Sequence, residues 1–306
     1  MTLRQAQDGS GTRCGLVAVI GAPNAGKSTL VNQLVGQKVA ITSAKAQTTR
    51  ARMLGIALHD DTQMVLVDTP GIFSPKRKLD RAMVSAAWDG TESADAVVLM
   101  VDPIKQRRHE LDPLVEALAK RPERKILVLN KVDAAKKEPL LALAQELTAK
   151  VDFTEVFFVS ALTGDGVPEM KEALAAMMPE GPWMYPEDQV SDASERLLAA
   201  EITREQLYKQ LHEELPYDSA VRPEKYEQRP DGSVEIHQQI VVARDNQRAI
   251  VLGKGGARIK AIGQAAREEL SELLGQKVHL FLHVKTDARW SEDKEMFEEM
   301  GLDWVR

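Results

Sequence analysis

The sequence predicts an α/β domain built on a doubly wound, mostly parallel sheet, followed by a smaller α+β domain. Three observations point to it. From about Arg13 to Met178, short apolar runs alternate with amphipathic helical stretches, the pattern of strands buried on both faces beneath helices. The run Gly21-Ala22-Pro23-Asn24-Ala25-Gly26-Lys27-Ser28 has the form G-x-x-x-x-G-K-S and lies where the first apolar run gives way to a helix. Beyond a proline-rich break the order becomes helix, strand, strand, helix, strand, which marks a separate compact unit.

The first strand is the wholly apolar Leu16–Ile20, and a helix opens near Lys27 and runs through Val35. Met53–Leu58, Met64–Val67, Ala96–Val101, Ile126–Leu129 and Val156–Val159 read as further strands, separated by helices such as Leu111–Lys120 and Leu140–Lys150. Pro179, Gly181, Pro182 and Pro186 end the last helix and mark a linker, where Trp183 and Tyr185 are expected to pack on a flanking domain. After it, Ser194–Glu214 reads as a helix, Ala220–Gln228 and Ser233–Ala243 as strands joined by the turn 229–232, about Ala257–Leu274 as a helix and Val278–Val284 as a strand. The acidic tail carries Trp290, Met296, Phe297, Met300 and Trp304, expected to form a short amphipathic helix on the second domain. The division is therefore a disordered N-terminus at 1–12, the α/β domain at 13–180, a linker at 181–193, the second domain at 194–289 and a tail at 290–306.

The 306 residues allow two cores, and 43% apolar with 28% charged residues is ordinary for a globular chain. The lone Cys14, expected just before a buried strand, has no internal disulfide partner and fits a reducing compartment. The first residues carry no apolar core of signal-peptide length and no stretch reaches about 18 apolar residues, so neither a signal peptide nor a membrane span is expected. A net charge of −6 excludes a broadly basic nucleic-acid binder but not a local basic patch.

In the first domain the spacing follows the chemistry. Glycines let the N–H groups of Gly21 to Ser28, with Thr29 beside them, turn inward around phosphates at the positive end of a helix dipole. Lys27 reaches the β- and γ-phosphates and the Ser28 hydroxyl takes Mg²⁺. Asp68-Thr69-Pro70-Gly71 follows the third strand, where Asp68 can hold Mg²⁺ through water and the Gly71 N–H can meet the γ-phosphate. Asn130-Lys131-Val132-Asp133 follows the fifth. The Asp133 carboxylate can accept two bonds from guanine, which adenine does not offer, and Lys131 can lie along the base. Ser160-Ala161-Leu162 follows the sixth, with the Ala161 N–H aimed at the guanine oxygen. Together these specify GTP rather than ATP.

In the second domain Gly253-Lys254-Gly255-Gly256 is the G-x-x-G loop of a KH domain, opening a helix after two strands. Arg244, Arg248, Lys254, Arg258 and Lys260 oppose only Asp245 there, a local basic patch suited to a single-stranded RNA backbone.

The nucleotide motifs resemble the translation-factor class of GTPases, with Gln47-Thr48-Thr49-Arg50 as the switch I threonine element. That resemblance implies that one of the paired threonines, Thr48 or Thr49 with Thr49 favoured, completes the Mg²⁺ shell, and that 42–50 is ordered by the γ-phosphate and released after hydrolysis. Ile72 stands where Ras-like proteins carry the glutamine that orients water, so slow intrinsic hydrolysis is expected. Related GTPases with an apolar residue there often use a K⁺ ion held partly by a loop asparagine, a position matched here by Asn24. With Gly36-Gln37-Lys38, Lys45 to Arg50, Glu213 to Tyr217 and Gly253 to Lys260, the chain resembles the bacterial GTPase Era family from about Arg13 to Lys285. Ala22 departs from the arginine frequent there, at a position expected to face outward.

The resemblance implies a P-loop GTPase with a type II KH domain. Its cofactors would be GTP, GDP and Mg²⁺, and its partners the 3′ end of small-subunit ribosomal RNA and the 30S precursor, with no DNA and a monomeric state. It further implies a cytoplasmic protein with contact at the inner face of the membrane, although no lipidation motif or basic amphipathic helix supports anchoring. The alternative is a constitutive RNA-binding module whose nucleotide domain scarcely turns over. Ile72 favours that alternative, and Lys27, Ser28 and Asp68 oppose it.

Overall fold

The computed structural model describes residues 11–43, 45, 48–50, 52–73, 75, 77–105, 108–211, 215–300 and 302–304. The expected disordered N-terminus lies almost wholly outside these residues, as do Ala46, Gln47, Glu213 and Glu214 of the family-like stretches. The first domain runs β1 (Arg13–Gly21), α1 (Lys27–Val35), β2 (Met53–His59), β3 (Thr62–Asp68), α2 (Lys78–Asp89) and β4 (Ala96–Val101). It continues through α3 (Arg108–Ala119), β5 (Arg124–Leu129), α4 (Lys137–Lys150), β6 (Glu155–Phe158) and α5 (Val167–Met177). Its six strands lie in the order β2-β3-β1-β4-β5-β6. All neighbours are parallel except β2 and β3, which pair antiparallel across a tight turn at Asp60, a residue with φ 49°.

The sheet is covered on both faces, which is why its central strands are apolar without alternation. Val17, Val19, Val98 and Val128 point into one core beneath α1 and α5; Ala18, Leu99, Leu127 and Leu129 point into the other beneath α3 and α4. Because β1, β3, β5 and β6 are parallel, their carboxyl ends open onto one edge, and the glycine run, D-T-P-G, N-K-V-D and S-A-L all emerge there. Cys14 lies within β1 rather than before it and is buried. Ala22, expected to face outward, is 3% exposed, in a turn closed by its carbonyl accepting from the Ala25 N–H and the Lys27 ammonium.

The second domain runs α6 (Glu195–Gln210), β7 (Ser219–Gln228), β8 (Val234–Val242), α7 (Asp245–Leu252), α8 (Ala257–Leu274) and β9 (Val278–Thr286). β7 and β8 are antiparallel, β8 and β9 parallel, and the helices cover one face. α7 adds a helix to the order read from the sequence. It spans only eight residues with its apolar side chains gathered at one end, too short to show a helical period. What starts it is local, the Gln247 side chain accepting from the Arg244 N–H at 3.0 Å. α6 stops at Gln210, short of the expected Glu214.

The connecting segment is not a free tether. Trp183 and Tyr185 pack on β1 and β3, the Gln63 side chain accepts from the N–H groups of Met184 and Tyr185, and the Val190 carbonyl accepts from Ile56 at the β2 edge. The tail helix α9 (Lys294–Glu299) does not rest on the second domain alone. Phe297, Met296 and Trp290 form one core with Leu79 and Met83 of α2 and with Ala220 and Val241 of the second sheet. The tail therefore cements both domains. Among the described residues no helix is long and apolar enough to cross a membrane.

Phe297 is fully buried and meets Trp304 edge to face at 4.9 Å. Phe297→Ala is expected to lower stability by about 3–5 kcal/mol, read as an earlier midpoint in urea unfolding.

Candidate active site and nucleic-acid interface

The phosphate loop is shaped by close contacts. Gly26, the residue capping α1, has φ 102°, and a Cβ there would come within 2.3 Å of the Asn130 side-chain nitrogen, so only glycine fits. Asn130 uses both ends of its amide. It donates to the Ala25 carbonyl at 2.8 Å and accepts from the Ala161 N–H at 2.9 Å, tying the phosphate loop to the loop after β6. The Ala161 N–H, assigned from the sequence to the guanine oxygen, is thus held by Asn130, whose buried amide must find partners.

Lys27 is buried and donates to the carbonyls of Gly21 and Ala22 at 3.2 and 3.0 Å. Burial pushes its ammonium down to about 8, with nearby Asp68 opposing the shift. Three oxygens converge beside it. Ser28 Oγ lies 2.7 Å from Asp68 Oδ2 and 2.8 Å from Thr49 Oγ1, and Thr49 Oγ1 donates to the same carboxylate oxygen at 3.1 Å. Burial pushes the Asp68 carboxyl up, against the pull of Ser28, Lys27 and Thr49. Its Oδ1 is buried with no hydrogen-bond partner among the described residues. A hard cation that takes oxygen donors fits this set, as Mg²⁺ does. The Thr48 hydroxyl instead donates to the Lys45 carbonyl at 2.8 Å. Pro23, Asn24, Thr29 and Gly71 line the cleft in front of the cluster.

Ile72 does not face that cleft. Its N–H donates to the Gly21 carbonyl at 3.0 Å, and its side chain joins the core beneath α3. On the base side, Lys131 takes φ 64° and donates to the Asn24 carbonyl at 3.0 Å. It also pairs with Asp102 at the end of β4, a residue the sequence reading did not single out. Asp133 and Leu162 are exposed, whereas Ser160 and Ala161 are buried in the loop after β6.

In the second domain Gly253 (φ 70°) ends α7, and a Cβ on it would lie 2.8 Å from the Arg258 Cβ, so the loop closes tightly there. Lys254 and Lys260 are exposed around the loop, while Arg258 turns back to donate to the Ile250 carbonyl at 2.9 Å. Arg248 is exposed along α7. Arg244 caps the far end of α7, about 12 Å from the loop at the rise of a helix, and lines a cleft with Arg77, Lys78 and Trp290 instead. The grouping of cations read from sequence spacing is thus divided between two places.

The segment carrying Thr49 is bonded to the second domain. Glu205 of α6 accepts from the Thr42 N–H at 2.9 Å and pairs with Lys38, and Arg204 donates to the Thr48 carbonyl. Arg50 donates to the Ser219 carbonyl at 2.7 Å. Arg204 was not legible as a site residue, because nothing in α6 itself signals what lies opposite.

Between about pH 8 and 10.5 the unfolded chain keeps the Lys27 proton that the folded chain has lost, so stability rises with pH across that window. Urea midpoints at the two ends should differ by the equivalent of about 3 kcal/mol more in this protein than in Lys27→Met, which lacks the titration.

The family model described as a 50S ribosome-binding GTPase matches residues 16–131, and that of the KH domain matches 214–291. The GTPase Era of Erythrobacter litoralis is 81% identical over 299 residues, covering 96% of this chain and 98% of that protein. The GTPase Era of Afipia carboxidovorans is 56% identical over 295 residues, covering 96% of each. Among solved structures, Era in complex with MgGDPNP and nucleotides 1506–1542 of 16S ribosomal RNA superposes with a TM-score of 0.90 at 36% identity, over 95% of this chain and 99% of that one. A variant of Aquifex aeolicus Era bound to GDP·AlF4⁻ gives 0.89 at the same identity and coverage. With its nucleotide loops on one sheet edge, a KH-type domain behind them and this degree of identity along nearly its whole length, the chain belongs to the Era family of GTPases.

Proposed function

We propose that this chain hydrolyses GTP and uses its nucleotide state to govern binding of the 3′ end of small-subunit ribosomal RNA during maturation of the 30S subunit. The observation that carries this is the convergence of Ser28, Thr49 and Asp68 on one point while the same Thr49 segment is bonded to the RNA-binding domain. The RNA of the solved relative supports the choice of partner. Such a partner places the chain in the cytoplasm, to which the family resemblance adds peripheral contact at the inner face of the membrane.

Lys27 would hold the β- and γ-phosphates and Gly71 the γ-phosphate, at the positive end of α1. Ser28, Thr49 and Asp68 would hold Mg²⁺, which when bound neutralises charge building on the transferred phosphoryl group. Asp133 selects guanine, since its carboxylate left unpaired discriminates against adenine on the order of 10⁴-fold. With Ile72 in the core, no side chain at that position orients water, so the chain turns over slowly on its own. Asn24 at the exposed loop tip is where K⁺ would assist. In the second domain Gly253, Lys254, Gly255 and Gly256 would approach the RNA backbone, with Arg248 and Lys260 adding charge.

Asp133→Asn should move preference from GTP towards xanthosine triphosphate, measured by competition binding; unchanged GTP affinity would show that the base site is misassigned. GTP turnover should rise with K⁺ over Na⁺ and respond to an RNA bearing the 3′ end of the small-subunit RNA. Gly255→Asp, at a position with φ 61° that aspartate tolerates better than most residues and where an added Cβ meets no atom, should weaken RNA binding about tenfold and leave nucleotide affinity intact. Turnover at the buffer background under every condition would sink the enzyme reading, and equal RNA affinity in Gly255→Asp would remove the loop from the site.

A further inference from the structure

Thr49 is bracketed by two buried guanidinium groups that cross between the domains in opposite directions. From α6, Arg204 donates to the Thr48 carbonyl. That carbonyl belongs to the planar peptide unit whose N–H is that of Thr49, so the bond sets the plane from which the Thr49 side chain departs. From the other side of Thr49, Arg50 donates to the carbonyls of Ser219, Tyr217 and Pro216 at 2.7, 3.1 and 3.2 Å and to the Tyr208 hydroxyl at 3.2 Å. Tyr208 joins the pair, since the Arg204 guanidinium carbon lies 5.3 Å from its ring centroid. Each arginine is 2% exposed.

Arg204 is itself held in place. Glu201 accepts from its Nε at 2.8 Å and also from Nη2. Burial works against its charge, and Glu201 and Tyr208 together outweigh that effect. A planar, forked donor locked this way is suited to fixing one carbonyl in one orientation, which a lysine is not.

We infer that Arg204 is a positioning residue for GTP hydrolysis: by holding the 48–49 peptide it presents the Thr49 hydroxyl to the Mg²⁺ site, so the second domain completes the nucleotide site of the first. This rests on the reading of Thr49 as a Mg²⁺ ligand given above. The reason is entropic. Ordering a loop residue costs backbone freedom, and the contacts of Arg204 and Arg50 lower the share of that cost that nucleotide and Mg²⁺ must offset. Reciprocity follows: whatever draws α6 away loosens Thr49, and ligation through Thr49 strengthens the contact between the domains.

The test uses the full chain with Arg204→Met, Thr49→Ala and the double variant. Before any metal is added, Arg204→Met should raise amide hydrogen exchange at Thr49 about tenfold; with a non-hydrolysable GTP analogue the half-saturating Mg²⁺ concentration should rise about tenfold and turnover fall by a similar factor. GDP affinity should stay within about twofold, because the base loops are untouched. The double variant should be no worse than Thr49→Ala. An unchanged Mg²⁺ requirement in Arg204→Met, or losses that add in the double variant, would overturn the inference and leave Arg204 as interface packing, whatever the melting temperature does. If Thr49→Ala alone leaves the Mg²⁺ requirement unchanged, the Thr49 assignment fails first and the inference falls with it. Should Arg204→Met not fold, Arg50→Lys loosens the same residue from the other side and must give the same exchange and Mg²⁺ signature.

Discussion

A carboxylate buried at the end of β3 organises this molecule. Asp68 is fully enclosed, and a charge so placed is tolerated only where hydrogen bonds and opposite charge surround it. Ser28 from the helix after the phosphate loop, Thr49 from the segment between α1 and β2, and the Lys27 ammonium nearby supply that surrounding. Three stretches far apart in the chain are thereby brought to one point. The parallel sheet makes this geometry available, since it delivers β1 and β3 side by side with their carboxyl ends at the same edge.

From Thr49 the constraint passes to the second domain. Arg50, Arg204 and Glu205 are all nearly or wholly enclosed where the domains meet, and Arg50 Nε and Arg204 Nη1 have no hydrogen-bond partner among the described residues. Buried charges of this kind contribute little net stability, because removing them from water costs about as much as their pairing returns. What they contribute is orientation. The apolar part of the contact lies elsewhere, in the core shared by α2, the tail and the second sheet. The junction thus combines an adhesive patch with a polar latch at the nucleotide site, and a latch of directional bonds changes with the position of a single segment where an oily contact would not.

Much of this was legible in the chain. The apolar runs from Leu16 to Leu129 fall on five strands because a strand buried on both faces leaves no room for polar residues. The edge strand β6, Glu155–Phe158, is instead partly exposed and sits one residue before the expected Val156–Val159. The four nucleotide motifs are legible for a similar reason: phosphate, metal and base each demand particular residue types at a fixed spacing within one loop. α7 was not, since eight residues are too few for a period to declare itself. Nor was the division of the basic patch, because neighbours in sequence at Arg244 and Lys254 stand at opposite ends of a helix.

The sequence by itself determined the class of fold, the two-part organisation, the guanine nucleotide and the glycine loop of the KH domain, because each rests on short motifs or apolar runs whose residues are close in sequence. Only the tertiary structure decided which threonine meets Asp68, that Asn130 binds two loops together, that the tail cements both domains, and that Arg204 reaches across to the Thr48 carbonyl. Contacts of that kind depend on where two distant segments come to rest against each other, and a spacing along one chain carries no record of it.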